Sequence, residues 1–191
     1  MMNDNFLPYD QITPQDVLEF WFAEGSQENW WDQSDVFDDL IRSKFIDLWE
    51  AARDDKLDHW GTENAESALA LIIVLDQFSR NLNRNSPDAF ALDTKALKVA
   101  DEALDRGYDM DVERAPRQFY YMPYMHSEDL RDQIRCVHLM QENVGQPQAV
   151  LYAEQHMEVI EKFGRFPHRN KVLGRETSIA ELAWLDQHGG F

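Results

Sequence analysis

The sequence is poor in the features that mark secreted, membrane-bound, metal-binding or nucleic-acid-binding chains. It has one cysteine, Cys136, so no internal disulfide can form and a reducing compartment is expected. Its longest apolar run, Ala68 to Leu75, is eight residues, where a membrane-spanning helix needs about 20. The start, MMNDNFLPYD, has acids and no basic region leading into an apolar stretch, so it is not read as a signal peptide and a cytoplasmic location is expected. Basic residues are scarce. Against 36 Asp and Glu stand 18 Lys and Arg, a formal net charge of −18, and that field disfavours nucleic acid and anionic membrane surfaces as partners. No GxxxxGK[ST], GxGxxG, HExxH, CxxC or GxSxG motif occurs, and the six histidines lack metal-ligand spacing, so neither cofactor nor metal is expected.

Strand signals are missing too: no alternating segment, no NG hairpin, no βαβ spacing. What remains is helical. Thr13-Pro14-Gln15-Asp16 is a helix start, opening VLEFWF, which ends near Gly25. Trp30-Trp31 is expected to fold back over the core, and Ser34 to cap a helix striped by Phe37, Leu40, Ile41, Phe45, Leu48, Trp49 and Ala52. Thr62, with Glu63 and Glu66, reads as the start of a third helix. Its ALALIIVL run is apolar all round, so that helix should be central. A helix with a small-residue face is expected over 89–107, with Gly107 just past its end, and another over Arg114–Met125. Ser127-Glu128-Asp129 is read as the cap of the next helix, with Ser127 as its capping hydroxyl. A further helix closes at Gly164, Arg165–Glu176 is irregular, and Ser178 with Glu181 makes a capping box for the last. The prediction is an all-α, single-domain bundle of antiparallel helix pairs over 1–191, with 1–12 an extended or loosely ordered arm. The chain is long enough to bury roughly 70% of its surface, and at 43% hydrophobic and 12% aromatic it has the material for a core.

Three polar constellations interrupt apolar sequence. Asp76, Gln77, Arg80 and Asn81 follow the central run as two i,i+4 pairs, either an internal salt bridge or a ligand-facing group. His126, Ser127, Glu128 and Asp129 follow the aromatic segment QFYYMPYM, which includes Tyr121 and reads equally as one wall of a pocket or as a buried helix. His126 is a candidate general base or anion donor, or a satisfied structural histidine. The stretch 162–176, KFGRFPHRNKVLGRE, holds Arg165, His168, Arg169, Asn170, Lys171 and Arg175. Its segment Lys162 to Arg175 has five Lys and Arg and no acid, whereas 1–66 holds 17 acidic against 4 basic residues. Guanidinium groups on a shaped loop can hold a carboxylate or phosphate, or can bridge acids of neighbouring helices.

LDQFSRNLNR (75–84) with PDAFALDTKAL, FYYMPYMHSEDLRDQ (119–133) and FGRFPHRNKVLGRETS (163–178), together with VLEFWF and Trp30-Trp31, resemble the signature blocks of a bacterial family catalogued as domain of unknown function 924. The resemblance spans nearly the whole chain. It implies an all-α, TPR-like architecture and no activity. Ser79 stands where that family usually has proline, which should relax a local kink.

Three functions fit these residues. The first is a helical module binding a small anionic metabolite or an acidic peptide end, with Asp76, Gln77, Arg80, Asn81, Tyr121, His126, Glu128, Arg165, His168, Arg169, Asn170 and Arg175 as candidate lining. The second is a hydrolase or lyase using His126 or Glu128 as base and arginines as anion stabilisers. The third is a TPR-like protein-interaction scaffold. The binder is favoured, because no nucleophile-plus-base pair can be nominated.

Overall fold

Eight consecutive apolar residues leave a helix no face for water, and in the computed structural model Ala68 to Leu75 are all buried at its centre. The structure describes residues 8–31 and 33–190. Of the arm expected at 1–12, residues 1–7 lie outside the described residues, while Tyr9–Gln11 form a 3-10 turn and Ile12 is buried. Every regular element among the described residues is helical. Besides 3-10 turns and a four-residue helical turn, Trp60–Glu63, they are α1 (Pro14–Trp21), α2 (Asp35–Arg53), α3 (65–82), α4 (Asp93–Asp105), α5 (Arg114–Met125), α6 (130–144), α7 (Pro147–Phe163) and α8 (Ile179–His188). Helix α3 packs on α1, α2, α4 and α5, while α5 pairs with α6 and α6 with α7.

The capping expectations hold at Thr13, Ser34 and Ser178. Three boundaries differ. Asn64, not Thr62, caps α3, accepting from the Ser67 N–H at 2.9 Å, because the chain breaks to extended geometry at Asn64. Helix α4 starts at Asp93 rather than Ala89, since Ser86 caps a separate 3-10 turn, Pro87–Ala89. Asp129, not Ser127, caps α6. The Ser127 hydroxyl accepts from the Asp129 N–H at 3.1 Å and donates to Asp132 at 2.6 Å.

Helix α3 is not regular. Between Ala65–Ile72 and Ser79–Leu82 lies a π-helical stretch, Ile73–Phe78. The Ser79 hydroxyl donates to the Leu75 carbonyl at 2.6 Å, the acceptor that the amide of residue 79 would take in an unbroken α-helix. So the helix is widened at the point where serine replaces the expected proline, and Asp76 and Gln77 lie inside the wide turn.

Helix α5 is buried from Arg117 to Met125. Its tyrosines are core whose hydroxyls tie it to neighbours: Tyr120 to the Ala65 carbonyl, Tyr121 to Asp109 at 2.6 Å and Tyr124 to Asp101 at 2.8 Å. Phe119 meets Trp21, Phe22, Trp30 and Trp31, so the two tryptophans do fold back on this helix. At the end of α5, Gln133 reaches across from α6, wholly buried, and its amide lies 3.2, 2.7 and 2.6 Å from the carbonyls of Tyr124, Met125 and Ser127. Gln133→Leu is expected to cost about 2 kcal/mol, since each orphaned buried acceptor costs roughly 1–3 kcal/mol. Urea denaturation would measure it, and a loss under about 0.5 kcal/mol would mean that those carbonyls need no amide.

Candidate functional site

Asp76 is a charged side chain within the apolar helix, fully buried, and three neighbours compensate it. The Gln77 amide donates to Oδ2 at 2.6 Å, the Arg80 guanidinium lies 3.2 Å from Oδ1, and His126 Nδ1 lies 2.7 Å from the same Oδ1. Burial alone would raise its pKa, but the charge of Arg80 and then the contact with His126 outweigh it and hold Asp76 below the usual carboxylate range. An ionised carboxylate only accepts, so the hydrogen of His126 is on Nδ1 and the lone pair on Nε2. Burial, and next the charge of Arg80, push the His126 pKa down and keep the ring neutral.

The ladder of charges continues outward. Arg80 also donates to Asp93 at 3.2 Å, and Arg169 donates to the same Oδ2 of Asp93 at 3.1 Å. The Arg169 guanidinium lies 4.5 Å from the ring centre of Phe90 and 4.6 Å from that of Phe166, within cation–π reach of both. Asp76 and Asp93 balance Arg80 and Arg169 one for one. Most of the Arg169 donors go unmatched. Of the five N–H donors on Arg169, one finds an acceptor among the described residues, and its Nε is buried without any. Burial, then the like charge of Arg80, pull Arg169 down to about 10.

Arg80, His126 and Arg169 line a cleft of about 1330 Å³, together with Trp30, Trp31, Met122, Tyr152, His156 and His168. A second cavity, about 460 Å³ and walled by Pro87, Leu97, Pro123 and Leu173, shares Phe90, His126 and Arg169 with it. Burial lowers His156 to about 3, and burial, then the charge of Arg169, lowers His168 to about 4. These imidazoles are uncharged at neutral pH.

Of the residues nominated from sequence, Gln77, Arg80, Asn81, His126, His168 and Arg169 line the large cleft, with Asp76 fixed against His126. Asn81 is also tied to Asp38 at 2.7 Å. Tyr121 lies apart, between Asp109 and Asn143. Glu128 borders the smaller cavity but is fully engaged: it accepts the Phe166 N–H at 2.7 Å and both terminal nitrogens of Arg175 at 2.7 and 3.0 Å. Burial opposes its ionisation, but the bonds from Arg175 and Phe166 prevail and lower its pKa. Arg165 chelates buried Glu181 at 2.7 and 3.0 Å, and Asn170 donates to the same carboxylate at 3.2 Å. The basic loop therefore divides. His168 and Arg169 line the cleft, while Arg165, Asn170 and Arg175 fasten the loop and α8.

Asp93, Phe90, Phe166 and His156 had no sequence signal. Asp93 reads as one more acid on a helix face, and it meets Arg169 only through a contact 76 residues long in sequence. Among the described residues no group of three or more His, Cys, Asp or Glu side chains is placed to hold a metal ion, and no helix is long and apolar enough to cross a membrane.

The chain is similar to a solved structure, the protein of unknown function ATU0120 from Agrobacterium tumefaciens. The two share 40% sequence identity with a TM-score of 0.86, covering 91% of this chain and 97% of that one. No curated protein matches it. The model of the family described as bacterial protein of unknown function (DUF924) matches residues 17–189, nearly the whole of the described chain. By that match, and by the helical architecture that the resemblance implied, the chain belongs to the DUF924 family of bacterial proteins of unknown function.

Proposed function

We propose that this chain binds a small organic anion, a carboxylate or phosphate, in the large cleft, with Arg169 as its principal donor and Arg80 and the neutral imidazoles as further contacts. The observation that carries the reading is the state of Arg169. It is 6% exposed, within cation–π reach of two rings, and most of its donors lack an acceptor among the described residues. A buried guanidinium in that condition is costly unless something supplies oxygens, and a carboxylate or phosphate does so bidentately. Trp30, Trp31, Met122 and Tyr152, which line the same cleft, offer apolar surface to the remainder of such a ligand.

A thermal-shift screen of organic carboxylates and phosphates tests this. At a hundred times its dissociation constant a ligand adds about 2.7 kcal/mol of stability, roughly 5–10 °C for a chain of this length. The expected result is such a shift with the wild type and none with the same anion on Arg169→Met, which keeps an apolar side chain beside Phe90 and Phe166 but donates nothing. A shift retained by the variant would put the anion elsewhere, and a wild type that no anion stabilises would end the reading.

A further inference from the structure

His126 is placed for more than contact. Its Nδ1 is committed to Asp76 at 2.7 Å, and Asp76 is itself locked by Gln77 at 2.6 Å and by Arg80 at 3.2 Å, so neither the tautomer nor the ring orientation is left to chance. Nε2 has no hydrogen-bond partner among the described residues. The side chain is 12% exposed, and the residue lines both cavities. A carboxylate-oriented imidazole with its second nitrogen open to a cleft is the arrangement of a general base. What it acts on is narrowed by its surroundings. Among the described residues no hydroxyl or thiol hydrogen-bonds to His126. Ser127 is bonded to Asp132, Ser79 to the Leu75 carbonyl, and Cys136 is wholly buried. No side-chain nucleophile of the described residues is hydrogen-bonded to His126, which leaves water as the nucleophile it would activate.

We propose that His126 is the general base of a hydrolysis in this cleft, taking a proton from water as the water oxygen attacks the acyl carbon of a small ester that carries a second, anionic group. The proposal rests on the anion-binding reading, which supplies Arg169 for the anionic group. In the step, an O–H bond of water breaks, its proton moves to Nε2 and a C–O bond forms. The carbonyl oxygen becomes an oxyanion, for which Arg80, bonded to the same Asp76 oxygen as His126, is the adjacent cation. Collapse breaks the bond to the leaving alkoxide, which takes the proton back from Nε2–H. Carboxylic acid and alcohol are the products, with no oxidant or cofactor consumed. Asp76 is a positioning residue, since it touches His126 and not the substrate.

The experiment uses the full chain with 4-nitrophenyl acetate and the 4-nitrophenyl monoester of succinate. The wild type is expected to release nitrophenol above the buffer rate, and faster from the succinyl ester. His126→Gln should lower kcat by about 10²–10⁴-fold, the usual contribution of a general base, with KM changed less than about threefold. Asp76→Asn should lower kcat in the same way and move the pH at which kcat/KM levels off, which a merely structural role would not do. Stabilisation by free succinate, measured by thermal shift on each variant, separates the two readings: if it survives in His126→Gln while turnover is lost, both stand. If the wild type is stabilised by succinate yet hydrolyses neither ester faster than His126→Gln, the base proposal fails alone. A wild type that succinate does not stabilise and that prefers the acetyl ester removes the anionic-substrate assignment as well. A long-range ¹⁵N spectrum of the wild type gives a check that needs no variant. Hydrogen on Nδ1 of His126 supports the proposal, and hydrogen on Nε2 overturns it.

Discussion

Asp76→Ala is expected to remove about 3–5 kcal/mol of stability, the usual cost of taking one partner from a buried ion pair. Asp76 has no exposed surface and is the shared acceptor of Gln77, Arg80 and His126. Its loss leaves Arg80 with Asp93 as its one remaining carboxylate beside the residue-76 carbonyl, and leaves the Nδ1–H of His126 facing a hole. Against a domain stability of roughly 5–15 kcal/mol, that is about a fifth of the whole at the least. The origin can be isolated with the double variant Asp76→Ala, Arg80→Leu, which removes the uncompensated charge along with the carboxylate and should recover part of the loss. A loss below about 1 kcal/mol in the single variant would show that the ladder of charges is not coupled as the distances indicate.

Mild acid should be nearly as damaging. His156 is 7% exposed, and burial lowers it to about 3 in the folded chain, whereas an unfolded histidine titrates near 6.5. The unfolded state therefore binds the proton first. Stability is complete above pH 6.5 and falls as the pH drops below it, by about 2 kcal/mol at pH 5 from His156 alone. His126 and His168 are lowered as well, so both act with the same sign. Asp76 adds a separate loss at lower pH: its folded value is depressed, so its stabilisation is present above its unfolded value near 3.8 and disappears only as the pH falls toward the folded one. Relief of self-repulsion in a chain of net charge −18 works the other way, but begins where ordinary carboxylates titrate, near pH 4. Urea unfolding at pH 7 and pH 5 should show the difference, and His156→Leu should flatten it. Equal stability at the two pH values would contradict the neutral burial of these rings.

The helices were legible because their signals are local. Thr13 caps the helix start its sequence implied, Ser178 with Glu181 forms the expected capping box, and ALALIIVL is buried because it has no polar face to expose. The pairing of Asp76 with Arg80 was likewise readable as an i,i+4 contact. What could not be read depends on where the chain returns. His126 and Glu128, two positions apart, go to different partners: His126 back to α3 and Glu128 to Phe166 and Arg175. Adjacency made Glu128 look like a second base, and the fold engages it in a clasp. The basic loop looked uniform in charge, yet its arginines split between Asp93, Glu181 and Glu128, acids on three different segments. The π-helical turn that carries Asp76 had no signal either, since it is completed by a serine hydroxyl bonded both to the Leu75 carbonyl and to Trp49.

The most direct test of the anion site is a titration of the wild type with succinate, followed on the side-chain N–H signals of its arginines. Arg169 makes a single hydrogen bond among the described residues, to Asp93, while Arg165 and Arg175 each already hold a carboxylate through two nitrogens. The Arg169 signals are expected to move saturably while those of Arg165 and Arg175 stay in place. Movement of Arg165 or Arg175 with Arg169 unchanged would contradict the account.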